Sequence, residues 1–211
     1  ADRLKAAFTK ELYDPKTGLI TWWKAEDGSL HAPESPPING IAIEYGLVEP
    51  ELGRKILERL WERMEEVGFK RFDLGVPSVL VPLRPGEYLG PATATWIPGR
   101  PQLPDGTDTF GQYMNGGITA GHVFHFLAAH YVVGMDEKGD FLLNKMIENH
   151  LKGGFHNGVV NGVGAIDWTD WEGNPTGYEG YLCDSFRFLQ AALIRELALR
   201  ARFYRPLGGA A

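Results

Sequence analysis

The sequence predicts an all-α fold in which helical hairpins pack as two concentric layers, with long loops gathered at one end. Three observations predict it. Helical hydrophobic periodicity recurs along most of the chain. The periodic segments alternate in kind: those starting near Asp2, Pro50 and Asp136 are amphipathic, and those starting near Ile38, Ile118 and Tyr178 are apolar nearly all round. Each apolar segment follows a connection rich in Pro, Gly, aromatic and acidic residues. The pattern reads as a helical hairpin repeated about three times in one domain spanning 1–211. The outer helices would show their polar face to water, and the inner ones would be covered on both sides.

In chain order, 2–13 reads as a helix, with Leu4, Ala7, Phe8 and Leu12 on one face and Asp2 able to cap it. The turn chemistry of 14–18 follows, then a β-like run over 19–23 and a polar loop over 24–37. A buried helix is predicted over 38–48. Pro50 opens an amphipathic helix over 50–67, with Leu52, Ile56, Leu57, Leu60, Trp61 and Met64 inward and a charged outer face. The stretch 69–110 is a long Pro- and Gly-rich connection, with a short strand expected at 79–81. A buried helix over 118–133, an amphipathic helix over 136–152, turns over 153–164 and a last helix over 178–203 complete the reading.

The composition is 44% apolar and 23% charged over 211 residues, enough for one domain with a substantial core. No run is long enough to cross a membrane. The net charge is -6 with no Lys/Arg block, which argues against nucleic acid and anionic membranes as partners. The single cysteine, Cys183, reads as a buried thiol. The chain opens at Ala1 with neither Met nor a signal peptide, pointing to a processed or shortened chain. Of the six Trp, only Trp61 lies in a helical pattern. Trp22, Trp23, Trp96, Trp168 and Trp171 fall in connections, as expected of a ligand surface or of loops packed on a large face.

The densest chemistry lies in 167–180, where Asp167, Asp170, Glu172 and Glu179 are interleaved with Trp168, Trp171 and Tyr178. Carboxylates supply proton transfer or activate water, and aromatic rings stack on sugar faces. The alternative is an aromatic surface loop whose acids favour a helix start. His122, His125 and His130 share one helical pattern, but no Cys or carboxylate follows at ligand spacing, so satisfied or surface histidines are expected and no metal or cofactor. Neither a phosphate loop nor a nucleophilic Ser motif is present.

Several stretches resemble the six-hairpin glycosidases, whose catalytic domain is an (α/α)6 toroid. Tyr13-Asp14-Pro15-Lys16-Thr17-Gly18-Leu19-Ile20 is similar to their Y-D-x-x-T-G-L-F turn, and the stretch from Pro37 to Leu47 to the inner helix after it. Tyr113-Met114-Asn115-Gly116-Gly117 resembles the Y-x-N-G-G start of another inner helix, and the segment from Asp167 to Asp184 resembles the loop leading into the last one. With about three of the six hairpins, the chain looks like the C-terminal half of an α/α toroid. A half ring exposes apolar cut edges, so a second chain or self-association is expected to complete it.

The resemblance implies a glycoside hydrolase acting on small glycosides or oligosaccharides, with inversion by a general acid and a general base roughly 6.5–9.5 Å apart. Phosphate replaces water in some relatives. The base would come from Asp167, Asp170 or Glu172: the Pro175-Thr176-Gly177 register favours Asp170, and the Trp-Glu pairing favours Glu172. The general acid would lie in an earlier hairpin outside this chain, with Glu34, Asp105 and Asp108 as candidates within it. Trp22, Trp23, Trp96 and Trp171 are the stacking candidates, with Tyr113, Asn115, Tyr178 and Glu179 offering polar contacts. Adjacent strand residues face opposite ways, so one of Trp22 and Trp23 would meet sugar. The second reading is a non-catalytic carbohydrate-binding or assembly subunit. A polysaccharide lyase, with Arg84 or Arg100 neutralising a uronate, ranks below both.

Overall fold

The computed structural model describes residues 2–82, 109–119, 121–152, 166–179, 190–193 and 195, with 166–167 and 176–179 described by their backbone alone. The protein is mostly helical, about half of it, with a few short strands. No described helix is long and apolar enough to cross a membrane.

Helix α1 (Asp2–Leu12) buries none of its residues fully; only Phe8 and Leu12 rest on the core. Two short hairpins follow, β1 (Tyr13–Asp14) with β2 (Leu19–Ile20) and β3 (Trp23–Lys24) with β4 (Leu30–His31). Each turn is closed by an Asp two residues before the amide it accepts from: Asp14 from Lys16 and Asp27 from Ser29, both at 2.9 Å.

Helix α2 (Pro36–Glu44) begins where Ser35 accepts the Ile38 N–H at 3.4 Å and donates its hydroxyl to the Val79 carbonyl at 2.6 Å. Buried Asn39 accepts the Ile20 N–H and donates to the Ser35 carbonyl, both at 2.9 Å, fixing β2 to the first turn of α2. Helix α3 (Pro50–Glu66) buries Gly53, Ile56, Leu57, Leu60 and Met64 on one face and carries ion pairs such as Arg54–Glu51 (2.9 Å) on the other. Helix α4 (Val123–Val133) is the most buried of the described helices, with nine of its 11 residues buried, and stops at Gly134 in the left-handed region, φ 78°. Helix α5 (Asp136–Leu151) returns along it and buries Gly139, Leu142, Leu143 and Met146.

Helix α2 lies against α4 so closely that a Cβ on Gly40 would stand 2.7 Å from the His125 carbonyl carbon and 2.8 Å from the Phe126 nitrogen. The Ile43 side chain meets Gly53 of α3, which also meets Val133 at the end of α4. At the other end, the Ser35 cap reaches Val79, and Ser78 bonds the backbone at Gly117 and Thr119, just before α4. Helices α2 and α4 therefore run parallel, with α3 and α5 antiparallel to them, as two helical hairpins side by side. Arg195 in the further helical piece at 190–193 and 195 docks on α5, bonding Asp140 at 2.5 and 2.7 Å.

Several sequence expectations are corrected. Helix α4 starts at Val123 rather than 118, because Ile118 exchanges both backbone hydrogen bonds with Thr169 at 2.9 Å and cannot join a helix. Residues 79–81 form no strand; the Val81 N–H donates to the Glu34 carbonyl at 2.7 Å. Tyr178 and Glu179 do not open a helix. They lie in β6 (Pro175–Glu179), which pairs antiparallel with β5 (Ile166–Thr169). Among the described residues, three two-stranded sheets thus accompany the helices.

Candidate functional site

Among the described residues, the chain at 78–81, the turn at 109–119 and the β5–β6 hairpin lie near the starts of α2 and α4. The β5–β6 hairpin is held to that end by the Ile118–Thr169 pair. Its turn is built by Asp170 and Asn174: the Asn174 N–H donates to Asp170 Oδ1 and its side-chain amide to Oδ2, both at 2.8 Å. Gly173 closes it at φ 89°. Glu172 stands exposed at the tip, with no hydrogen bond or ion pair to another described residue.

Trp171 points into the fold. Its indole N–H donates to the Gly116 carbonyl at 2.8 Å, and its ring meets Phe69 and Phe110 edge-on with centroids 5.1 and 5.2 Å away. It anchors the hairpin. Trp168 sits beside Tyr113, ring centroids 5.5 Å apart and tilted by 45°. Tyr113 is 52% exposed, and its φ of 29° makes it the one described residue other than glycine with positive φ. Such a backbone costs roughly 1–3 kcal/mol and persists where surrounding structure imposes it.

Arg71 ties this face together. Its Nη1 donates to the Trp171 carbonyl at 3.0 Å, while Nε and Nη2 reach the two Asp73 oxygens at 2.9 and 3.0 Å. Hydrogen bonding to Asp73 raises the guanidinium above its ordinary value, with Asp170 and Glu172 adding to the same field. The same bond holds the Asp73 carboxyl below its ordinary value. Arg71 is thus a cation facing the acidic turn.

The other predicted residues have individual places. Asn115 is buried and shapes the tight turn before α4: its N–H donates to Gln112, its carbonyl accepts from Gly111, and its amide reaches Thr109 at 3.4 Å. Trp23 is 45% exposed and stacked on His31, centroids 4.5 Å apart and planes 9° from parallel. Trp22 is half-buried, and its buried indole nitrogen has no partner among the described residues. No described contact joins these two to the β5–β6 hairpin. The Glu34 carboxylate is taken up by Arg63 at 2.5 Å and Arg59 at 3.6 Å, an arrangement that ties α3 to the loop before α2. Trp96, Asp105, Asp108, Arg84, Arg100 and Cys183 lie outside the described residues. Asp167, Tyr178 and Glu179 are placed by their backbone in β5 and β6.

Comparison of the chain with family models, curated proteins and solved structures finds no match.

Sequence reasoning missed Arg71 and Asp73, which it counted only as part of a long connection. The chemistry signal was there: an Arg two residues from an Asp can form a bidentate pair. It also missed that the buried Glu44 carboxylate on α2 meets Nδ1 of His125 on α4. Among the described residues, no group of three or more His, Cys, Asp and Glu is arranged to hold a metal ion. The face as described offers stacking rings, one open carboxylate and a fixed cation, which suits a polar, ring-shaped ligand.

Proposed function

We propose that the protein binds carbohydrate at this face and acts as a glycoside hydrolase built on part of an α/α toroid. The observation that carries the reading is the Tyr113–Trp168 pair: two rings, one on a strained backbone and half-exposed, beside a turn that presents a free carboxylate. Stacking rings next to carboxylates are what sugar binding and cleavage require. The parallel placement of α2 and α4, with α3 and α5 outside them, supports the toroid arc. Glu172 is the general base that activates water, or positions phosphate in a phosphorolytic variant. Asp170 shapes the turn through Asn174. The proton donor then comes from Asp105, Asp108, a second chain or a second copy that completes the ring.

The test is binding and turnover measured on one panel of α- and β-linked oligosaccharides. Tyr113→Ala and Trp168→Ala should each weaken binding, by about 1–3 kcal/mol if a ring stacks on sugar as rings do on bases. Glu172→Gln should leave binding intact and lower turnover by about 10²–10⁴-fold. Retained binding in both ring variants would overturn the placement of the site.

A second reading is favoured by one observation. Both Asp170 oxygens are engaged by Asn174, which leaves Glu172 the one open acid of the turn. A single acid fits a non-catalytic carbohydrate-binding subunit. Sugar binding without turnover, in the presence of any partner chain, would select it.

A further inference from the structure

A groove of about 590 Å³ lies between α3, the chain at 68–72 and Lys138 of α5, in the volume range of small-molecule sites. The sugar reading does not use it. Trp61 and Phe72 line it, ring centroids 5.0 Å apart. Its rim carries Glu58, Glu62 and Glu65, a stripe at helical spacing on the exposed side of α3. Glu62 lies 3.7 Å from Arg59, while Glu58 and Glu65 make no ion pair with another described residue. A cation is already seated on the wall: the Lys138 ammonium stands 5.7 Å from the Trp61 ring centroid. Lys138 makes no ion pair with another described residue, so the ring is what that charge meets.

The face of an indole ring is negative and attracts cations, most strongly those that shed water easily. A lysine ammonium is compact and strongly hydrated. A methylated or alkylated ammonium spreads the same charge over apolar surface and matches an aromatic wall better, with the rim carboxylates adding their field. Lys70, also on the rim, opposes this. The three carboxylates outnumber the one ammonium left once Lys138 is displaced.

We infer that this groove is a binding site for a small organic cation of the quaternary or alkylated ammonium class, which takes the place of the Lys138 ammonium on Trp61. The test follows the Trp61 indole N–H resonance while choline is titrated at constant ionic strength. Its neutral isostere, 3,3-dimethylbutanol, is titrated in parallel. Choline should shift the resonance saturably and bind roughly three- to thirtyfold more tightly than the alcohol. Lys138→Gln should tighten choline binding several-fold, and the Glu58→Gln, Glu65→Gln double variant should weaken it. These exposed substitutions leave the core intact, which the unfolding midpoint checks. The inference is overturned by the absence of a saturable shift, by equal affinity for choline and the alcohol, or by unchanged choline affinity in Lys138→Gln.

Discussion

Lowering the pH from neutrality should weaken this protein through His130 before its carboxylates titrate. His130 is fully buried on α4. Its Nδ1–H donates to the Phe126 carbonyl at 2.7 Å, and its Nε2 accepts the Trp61 indole N–H at 2.8 Å. Those two bonds fix the neutral imidazole with its proton on Nδ1, because a second proton on Nε2 would face another N–H. Burial pulls its pKa from 6.5 down to about 4, and the Lys138 ammonium facing this cluster acts in the same direction. The folded-state value is depressed, so the unfolded chain holds the extra proton between those values. Stability is complete above the unfolded value and falls as the pH drops through the window. Each pKa unit is worth about 1.4 kcal/mol, so the full loss is about 3 kcal/mol, of which about 2 kcal/mol falls between roughly pH 6.5 and 4.5. The depressed carboxyls of Asp73, Asp140 and Glu66 lose their contribution lower down, below their ordinary values. Urea unfolding across the window measures the slope. His130→Gln, which can still donate and accept, should remove that slope while folding normally. A wild-type protein equally stable at both ends of the window, or a slope that survives in His130→Gln, would refute the argument.

Three further outcomes are expected. Gly40→Ala gains about 1 kcal/mol of helix propensity, but its methyl would meet rigid backbone of α4. Overpacking of 1–3 kcal/mol or more should dominate and lower the unfolding midpoint, and a stabilised variant would show that α2 and α4 are not packed this closely. Tyr113→Gly relieves the positive φ and should raise stability by about 1 kcal/mol while weakening oligosaccharide binding; a loss on both counts would mean that the ring serves packing rather than ligand. Arg71→Met removes the bond to the Trp171 carbonyl and the Asp73 pair, so amide exchange across 166–179 should speed up by about tenfold, as expected for about 1.5 kcal/mol. Exchange unchanged from wild type would show that Trp171 and the Ile118–Thr169 pair hold the hairpin without Arg71.

What sequence could reveal depended on how far away each residue's partner lay. Helices α3 and α5 were legible nearly to the residue because local periodicity and Pro50 or Asp136 set them. The start of α4 was not, because Ile118 is claimed by Thr169, a partner in a distant segment. The β5–β6 hairpin was read as a loop entering a helix, although Asp170, Gly173 and Asn174 carry ordinary turn chemistry. Trp171 was read as a stacking surface, but Phe69, Phe110 and Gly116 draw it inward from separate parts of the chain. His130 was expected only as a satisfied or surface histidine; it is buried and satisfied, and its partner Trp61 is 69 residues away, where no spacing rule reaches.

The bond from Arg71 to the Trp171 carbonyl closes a loop of 100 residues. The α2–α3 and α4–α5 hairpins, by contrast, form from neighbouring residues. Closing a long loop carries an entropy cost that local hairpins avoid, so the helical pairs form early and the Tyr113–Trp168 face assembles late. During synthesis, the first three helices can pack while residues 166–179 are still unmade. The strained Tyr113 backbone and its Trp168 neighbour then come together only when the β5–β6 hairpin arrives. Chains stalled or cleaved before residue 166 would keep much of the helical framework and lack the face altogether.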